Sequence, residues 1–250
     1  MELIDVHSHI SARQFDNDRE GVVQHSLDSG LLMILDSGET LKENEKSLDI
    51  SEKFAGVKSC AGFSPKNIKA LDAKLVLSYI RANADKFVAI GEVGLDYWYI
   101  KEHADREKQK KIFVDFIELA VELDKPLVIH SRSAGKYAID LLIANNATRV
   151  CMHAFDGSTK SAQAGVDAGF FFSIPPSVTH SEQKRKLVEK LPIENILLES
   201  DAPALGPEKG KKNTPKNIVI SLEEIAKIKQ LDKSEVARVT TENARNLFKL

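Results

Sequence analysis

The sequence predicts an α/β fold: a single (β/α)8 TIM barrel with extra C-terminal helices. Three observations lead there. Short apolar runs rich in β-branched residues alternate eight times with polar turns and longer amphipathic stretches. Those runs are apolar on consecutive residues rather than on every second one, the pattern of parallel strands covered on both faces. No linker or low-complexity stretch interrupts the series, so one domain is expected over residues 1–250. A doubly wound open sheet shares the alternation, because strand count alone does not show closure.

The strand-like runs and helical stretches follow in order. Leu3–His9 precedes a helical stretch at Asp18–Ser29, Leu31–Ser37 precedes Leu41–Phe54, and Val57–Phe63 precedes Leu71–Ala84. Phe87–Leu95 leads into the longest helix, expected over Asp105–Leu123. There Ile112, Phe113, Phe116, Leu119, Ala120 and Leu123 recur at helical spacing behind an Asp105-Arg-Glu-Lys start. Pro126–His130 precedes Gly135–Asn145, Arg149–Phe155 precedes Thr159–Ala168, and Phe170–Ile174 precedes Ser181–Lys190. Ile196–Asp201 is the eighth run. Two more helices are expected at Pro215–Gln230 and Ser234–Phe248, with Ser234 as the N-cap of the last.

Composition narrows the class. With 250 residues, 42% of them hydrophobic and 29% charged, the chain can build a large core without disulfides or a structural metal. Cys60 and Cys151 lie in apolar runs and are expected to be buried free thiols, as in a reducing compartment. The first residues carry neither a basic region nor an apolar one of the signal-peptide kind. No apolar run approaches the roughly 18 residues of a membrane span, so a cytoplasmic protein is expected. A net charge of −2 excludes a global nucleic-acid footprint. A phosphate-rich partner would need a local basic patch or a metal.

Chemistry concentrates at the C-terminal ends of the strands. Of the seven histidines, His7 and His9 close the first, His130 the fifth and His153 the sixth; Glu92 lies near the end of the fourth and Asp201 ends the eighth. In a barrel these positions converge on the face that carries active sites. Two residues apart on a strand, His7 and His9 point to one side and can approach one ion. Glu92, in an apolar stretch, would be costly to bury without a partner. His25, His103 and His180 lie in helices or loops with no such pattern and read as ordinary surface or core groups. The set points to metal-dependent hydrolysis.

The segments Ile-Asp-Val-His-Ser-His, Ala-Ile-Gly-Glu-Val-Gly-Leu-Asp-Tyr, Leu-Val-Ile-His-Ser-Arg, Met-His-Ala-Phe-Asp-Gly and Leu-Leu-Glu-Ser-Asp-Ala-Pro resemble the TatD-type deoxyribonucleases. These belong to the metal-dependent hydrolases of the amidohydrolase-like barrels. The likeness runs from Ile4 to the closing Thr241-Glu-Asn-Ala-Arg-Asn-Leu-Phe. It implies two divalent ions that activate a water for phosphodiester cleavage, as a 3'-5' exonuclease on single-stranded DNA ends. His7, His9, Glu92 and Asp201 would surround one ion. Glu92, bridging, would share the second with His130 and His153. Magnesium or manganese suits carboxylates and phosphate, and imidazoles also accept zinc. Asp201 and Glu92 are the catalytic candidates, Asp201 as proton acceptor from the water or as a ligand alone.

For the substrate, Arg132 and Lys66 are expected to meet phosphates, Tyr97 to stack on a base, and Lys209, Lys211 and Lys212 to form a basic loop. Trp98, in the same loop, is a second stacking candidate, with loop packing as its expected role. Many relatives carry Gly-x-His-Pro-His where this chain has Gly62-Phe-Ser-Pro-Lys, so Ser64 and Lys66 replace two histidines. Two other readings share the barrel: a hydrolase of a small amide, lactone or phosphoester, and a non-catalytic metal-stabilised binding protein. No membrane association and no stable protein partner are expected.

Overall fold

The computed structural model describes residues 2–250. Eight parallel strands follow in sequential order: β1 (Leu3–Ser8), β2 (Leu31–Gly38), β3 (Val57–Ala61), β4 (Ala89–Gly94), β5 (Leu127–His130), β6 (Val150–Met152), β7 (Phe171–Ile174) and β8 (Ile196–Leu198). Helices α1 (Arg19–Asp28), α2 (Leu41–Lys53), α3 (Ala70–Ala82), α4 (His103–Glu122), α5 (Gly135–Ala144), α6 (Thr159–Asp167) and α7 (Glu182–Lys190) alternate with them. Two more, α8 (Ile218–Lys229) and α9 (Lys233–Phe248), follow β8. This is the TIM barrel that the alternation predicted. Beside β1, the segment after β8 closes the ring through the Asp201 N–H to His7 O (2.9 Å) and the His9 N–H to Ala202 O (2.7 Å).

Two apolar layers hold the barrel together. Outside the sheet, one face of each strand packs on the helices in a continuous core. Inside, Ile4, Val6, Leu35, Cys60, Ala89, Val128, Cys151 and Leu197 fill the lower barrel, and Ala244, Leu247 and Phe248 of α9 plug its base. The opposite, upper end is left free for polar groups. Both cysteines are buried free thiols, as their runs predicted.

Local chemistry starts several helices. The Thr40 hydroxyl accepts from the Glu43 N–H before α2, Ser158 from Ser161 before α6, and Ser181 from Lys184 before α7. The last helix differs from expectation. Asp232, not Ser234, occupies its N-cap, and no side chain caps it. The longest helix begins at His103, two residues before the expected acidic start. β6 and β8 are also shorter than their apolar runs, because the chain leaves the sheet at Ala154 (φ 36°) and Asp201 (φ 52°). Among the described residues no helix is long and apolar enough to cross a membrane.

Two ladder irregularities lie beside polar residues. Between Asp5 and Ser8, β1 advances three residues while β2 advances two, from Ile34 to Asp36. Between Ile90 and Val93, β4 likewise gains one residue on β5. Each is a β-bulge, which re-aims the next side chain. His7 and Glu92 sit within them.

Candidate metal centre

The upper barrel gathers six groups from five separate segments. His7 and His9 come from β1 and its end, Glu92 from β4, His130 from the end of β5, His153 from just past β6, and Asp201 from the turn after β8. His7 Nε2 lies 3.1 Å from His9 Nε2. Glu92 Oε2 is 3.4 Å from His7 Nε2 and 3.0 Å from His9 Nε2. Asp201 Oδ1 is 3.6, 3.5 and 3.9 Å from the Nε2 atoms of His7, His9 and His153. His7, His9 and Asp201 form one group able to hold a metal ion; His7, Glu92 and His153 form another. His130 stands outside both groups and meets them through Glu92, which its Nδ1 contacts.

Each imidazole is oriented from behind. His9 Nδ1 donates to the Ser37 carbonyl at 2.7 Å, and His7 Nδ1 faces the Ser37 hydroxyl at 3.2 Å. His153 Nδ1 donates to Glu199 at 2.8 Å, and His130 Nε2 to Asp96 at 3.1 Å. With the rear nitrogen of His9, His153 and His130 carrying a proton, the front nitrogen of each neutral ring is a bare lone pair. Those lone pairs face carboxylate oxygens and one another, which is repulsive unless positive charge lies between them. This donor set suits a divalent cation.

Without a cation, protons supply that charge. Burial works to lower the His7 pKa, but hydrogen bonds to Asp201 and Glu92 raise it to about 9. Burial opposes the charge on His130 as well, yet Glu92 and then Asp96 bring it to about 9. Burial alone would raise the Glu92 and Asp201 carboxyls; instead the charge of His130 holds the first, and that of His153 the second, well below the usual range. These are carboxylates built to face cations.

Backbone proximity positions Glu92 and His130. A Cβ at Gly94 (φ +144°) would lie 2.1 Å from His130 O, so only glycine lets β4 come this close. At Gly62 it would strike the Glu92 backbone at 2.3 Å, where the Phe63 N–H bonds Glu92 O.

Asp96 and Glu199 were not singled out in the sequence, although both lie inside the motifs read there. Glu199 is wholly buried and accepts from the Ala154 N–H (2.9 Å) and the Ser173 hydroxyl (2.5 Å) besides His153. Lys184 was also missed. It is buried in the wall, donating to the carbonyls of Ala154 and Phe155, and burial lowers its pKa.

His9, Glu92, His130, His153 and Asp201 lie at the floor of an open cavity of about 700 Å³, with His7 wholly buried beneath them, and the cavity also reaches Glu39, Lys66, Arg132, His180 and Lys209. His180 therefore faces the site, contrary to its reading as an unremarkable residue. Ser64 is turned away from the floor and donates to Glu39 at 2.8 Å. Lys211 and Lys212 line an adjoining cavity, paired with Glu208 and Asp18 at 2.5 and 2.7 Å. Tyr97 requires a correction. It is 7% exposed, with the Arg106 guanidinium 4.3 Å from its ring centroid, so a base cannot reach its face. The aromatics left exposed around it are Trp98, Tyr99 and Tyr137.

Comparison with known proteins adds to this geometry. The chain is 41% identical over 258 residues to Deoxyribonuclease TATDN3 of Homo sapiens, covering 98% of this chain and 94% of the relative. It is 28% identical over 258 residues to the 3'-5' ssDNA/RNA exonuclease TatD of Shigella flexneri, with 98% of both covered. The solved structure of YJJV, a TatD homolog from Escherichia coli K12, shares the fold at a TM-score of 0.91 and 23% identity, covering 99% of this chain and 98% of that one. A family model described as TatD related DNase matches residues 4–249, and the chain belongs to that family.

Proposed function

We propose that this chain is a metal-dependent deoxyribonuclease that hydrolyses phosphodiester bonds, acting as a 3'-5' exonuclease on single-stranded ends. One observation carries the reading: imidazole lone pairs and two carboxylates converge on the floor of an open cavity with cationic walls. Membership of the TatD-related DNase family and the relative named as a 3'-5' ssDNA/RNA exonuclease support the substrate. In this reading two divalent ions occupy the centre. His7, His9, Glu92 and Asp201 hold one; Glu92, His130 and His153 hold the other. Magnesium or manganese serves in function, and the four imidazoles also accept zinc.

Cations bound there supply Lewis acidity toward the phosphodiester oxygens and the attacking water. The chain's own groups do the rest. Asp201, ionised and beside the cluster, takes the proton of the water. Glu92 sets the spacing of the two halves of the site. Arg132, Lys66 and Lys209 neutralise phosphates on the cavity wall, where partial desolvation strengthens each contact.

The test is nucleotide release from single-stranded DNA with several divalent metals, for the wild type and for His153→Ala. Metal-dependent release that the variant abolishes is the expected result. No release from any DNA or RNA would end the proposal, and turnover of small esters or amides instead would transfer the site to that chemistry.

A further inference from the structure

Trp98 is the only tryptophan of the chain, and 52% of it remains exposed on the loop between β4 and α4. The Arg132 guanidinium lies 3.8 Å from its ring centroid, while Arg132 itself lines the cavity over the metal centre. Among the described residues the Arg132 side chain makes no hydrogen bond and no ion pair, so stacking on the indole is what orients it. Tyr99 and Tyr137, 56% and 51% exposed, and Lys101, with Nζ 5.7 Å from the Trp98 ring, extend this rim.

Exposure here does not come from a slack loop. The Tyr97 N–H bonds Arg132 O at 2.9 Å, Asp96 accepts from the Tyr99 N–H at 2.8 Å, and Arg106 donates to the carbonyls of Ile100 and Tyr97. Asp96 also orients His130, so the loop that carries the aromatic rim is tied directly to the metal centre. A large indole held in water beside a catalytic cavity loses the apolar burial it would gain by folding inward. Its location makes sense if something flat and aromatic covers it.

We propose that the Trp98–Arg132 stack is a subsite for an unpaired nucleobase of the strand being cut. This rests on the reading of the chain as a nuclease and adds what the strand must offer. The base extends the π-stack, and the guanidinium edge is left to donate to a flanking phosphate. Bases in a duplex have both faces occupied by their neighbours. The subsite therefore selects single-stranded or frayed ends without reading sequence.

The test uses magnesium-loaded protein and two phosphorothioate-linked oligonucleotides, an oligodeoxyadenylate and a strand of the same charge made of abasic residues. Binding is followed by Trp98 fluorescence and by anisotropy of the labelled strand. The expected result is quenching by the base-bearing strand only. Trp98→Ala should weaken that strand's binding about fivefold or more, with Trp98→Phe restoring most of it, and both variants should unfold at the wild-type temperature. Equal quenching by the abasic strand, or unchanged binding in Trp98→Ala while DNA is still hydrolysed, would overturn the subsite and leave the nuclease standing. Neither strand binding and no DNA hydrolysis would remove both together.

Discussion

Glu199 orients a candidate metal ligand from behind without belonging to the candidate ligand set itself. Its carboxyl group is wholly buried inside the barrel, where a polar group needs full hydrogen-bond partnering. The His153 ring, the Ala154 N–H and the Ser173 hydroxyl provide it. Those bonds fix the tautomer of His153 and direct Nε2 to the centre. Glu199→Ala should lower metal affinity by about 10- to 100-fold, measured calorimetrically with manganese, while the far-ultraviolet circular dichroism stays native. Unaltered affinity would mean that His153 is held by packing alone. Asp96 stands in the same relation to His130, and it also shapes the loop bearing Trp98. On the cavity wall the Arg132 guanidinium is held over the Trp98 ring in a comparable way, one side chain positioning the other.

At the scale of strands, β4 carries the greatest constraint. Its bulge aims Glu92 inward, and Gly94 brings the strand close to the His130 carbonyl. A methyl group at Gly94 meets backbone at 2.1 Å in a φ region that side chains avoid. Gly94→Ala should therefore destabilise the protein by about 2 kcal/mol or more, read from the urea midpoint. Gly21 offers the contrast. It lies exposed in α1, where an added methyl group would meet nothing within 4 Å, and Gly21→Ala should stabilise by about 0.5–1 kcal/mol. Equal effects of the two substitutions would refute the argument from close approach. The bulges also explain what alternation hid. Val128 to His130 and Cys151 to His153 keep the two-residue period from barrel interior to site, whereas Val6 to His7 and Ala89 to Glu92 break it.

Across the whole molecule, the barrel separates stability from chemistry. The base is apolar and plugged by α9, and the top collects carboxylates and imidazoles that repel in the absence of positive charge. A bound cation removes that repulsion only in the folded state, so binding and stability are linked. At a metal concentration about a hundredfold above Kd, the gain is about 2.7 kcal/mol. For a chain of this size that should raise the thermal midpoint by about 5–10 °C over the chelator-treated protein, as differential scanning calorimetry would record. The same midpoint with and without metal would argue against cation binding at this centre. The wall of the cavity follows the same division: Lys66, Arg132 and Lys209 face the site, while Lys211 and Lys212 are engaged by Glu208 and Asp18 nearby.

The sequence by itself determined the order of strands and helices, because consecutive apolar runs and helical periodicity are local properties. It also brought out His7, His9, Glu92, His130, His153 and Asp201 as one set, since strand ends in a parallel barrel share a face. Tertiary structure decided which nitrogen each imidazole presents, through Ser37, Asp96 and Glu199 on three other strands or their ends. It also buried Tyr97 and left Trp98 exposed, because burial depends on where Arg106 and Tyr137 pack and not on the Tyr-Trp dipeptide. Local pattern reports which backbone forms. Only the closed ring brings residues nearly two hundred positions apart, such as His7 and Asp201, to within 3.6 Å.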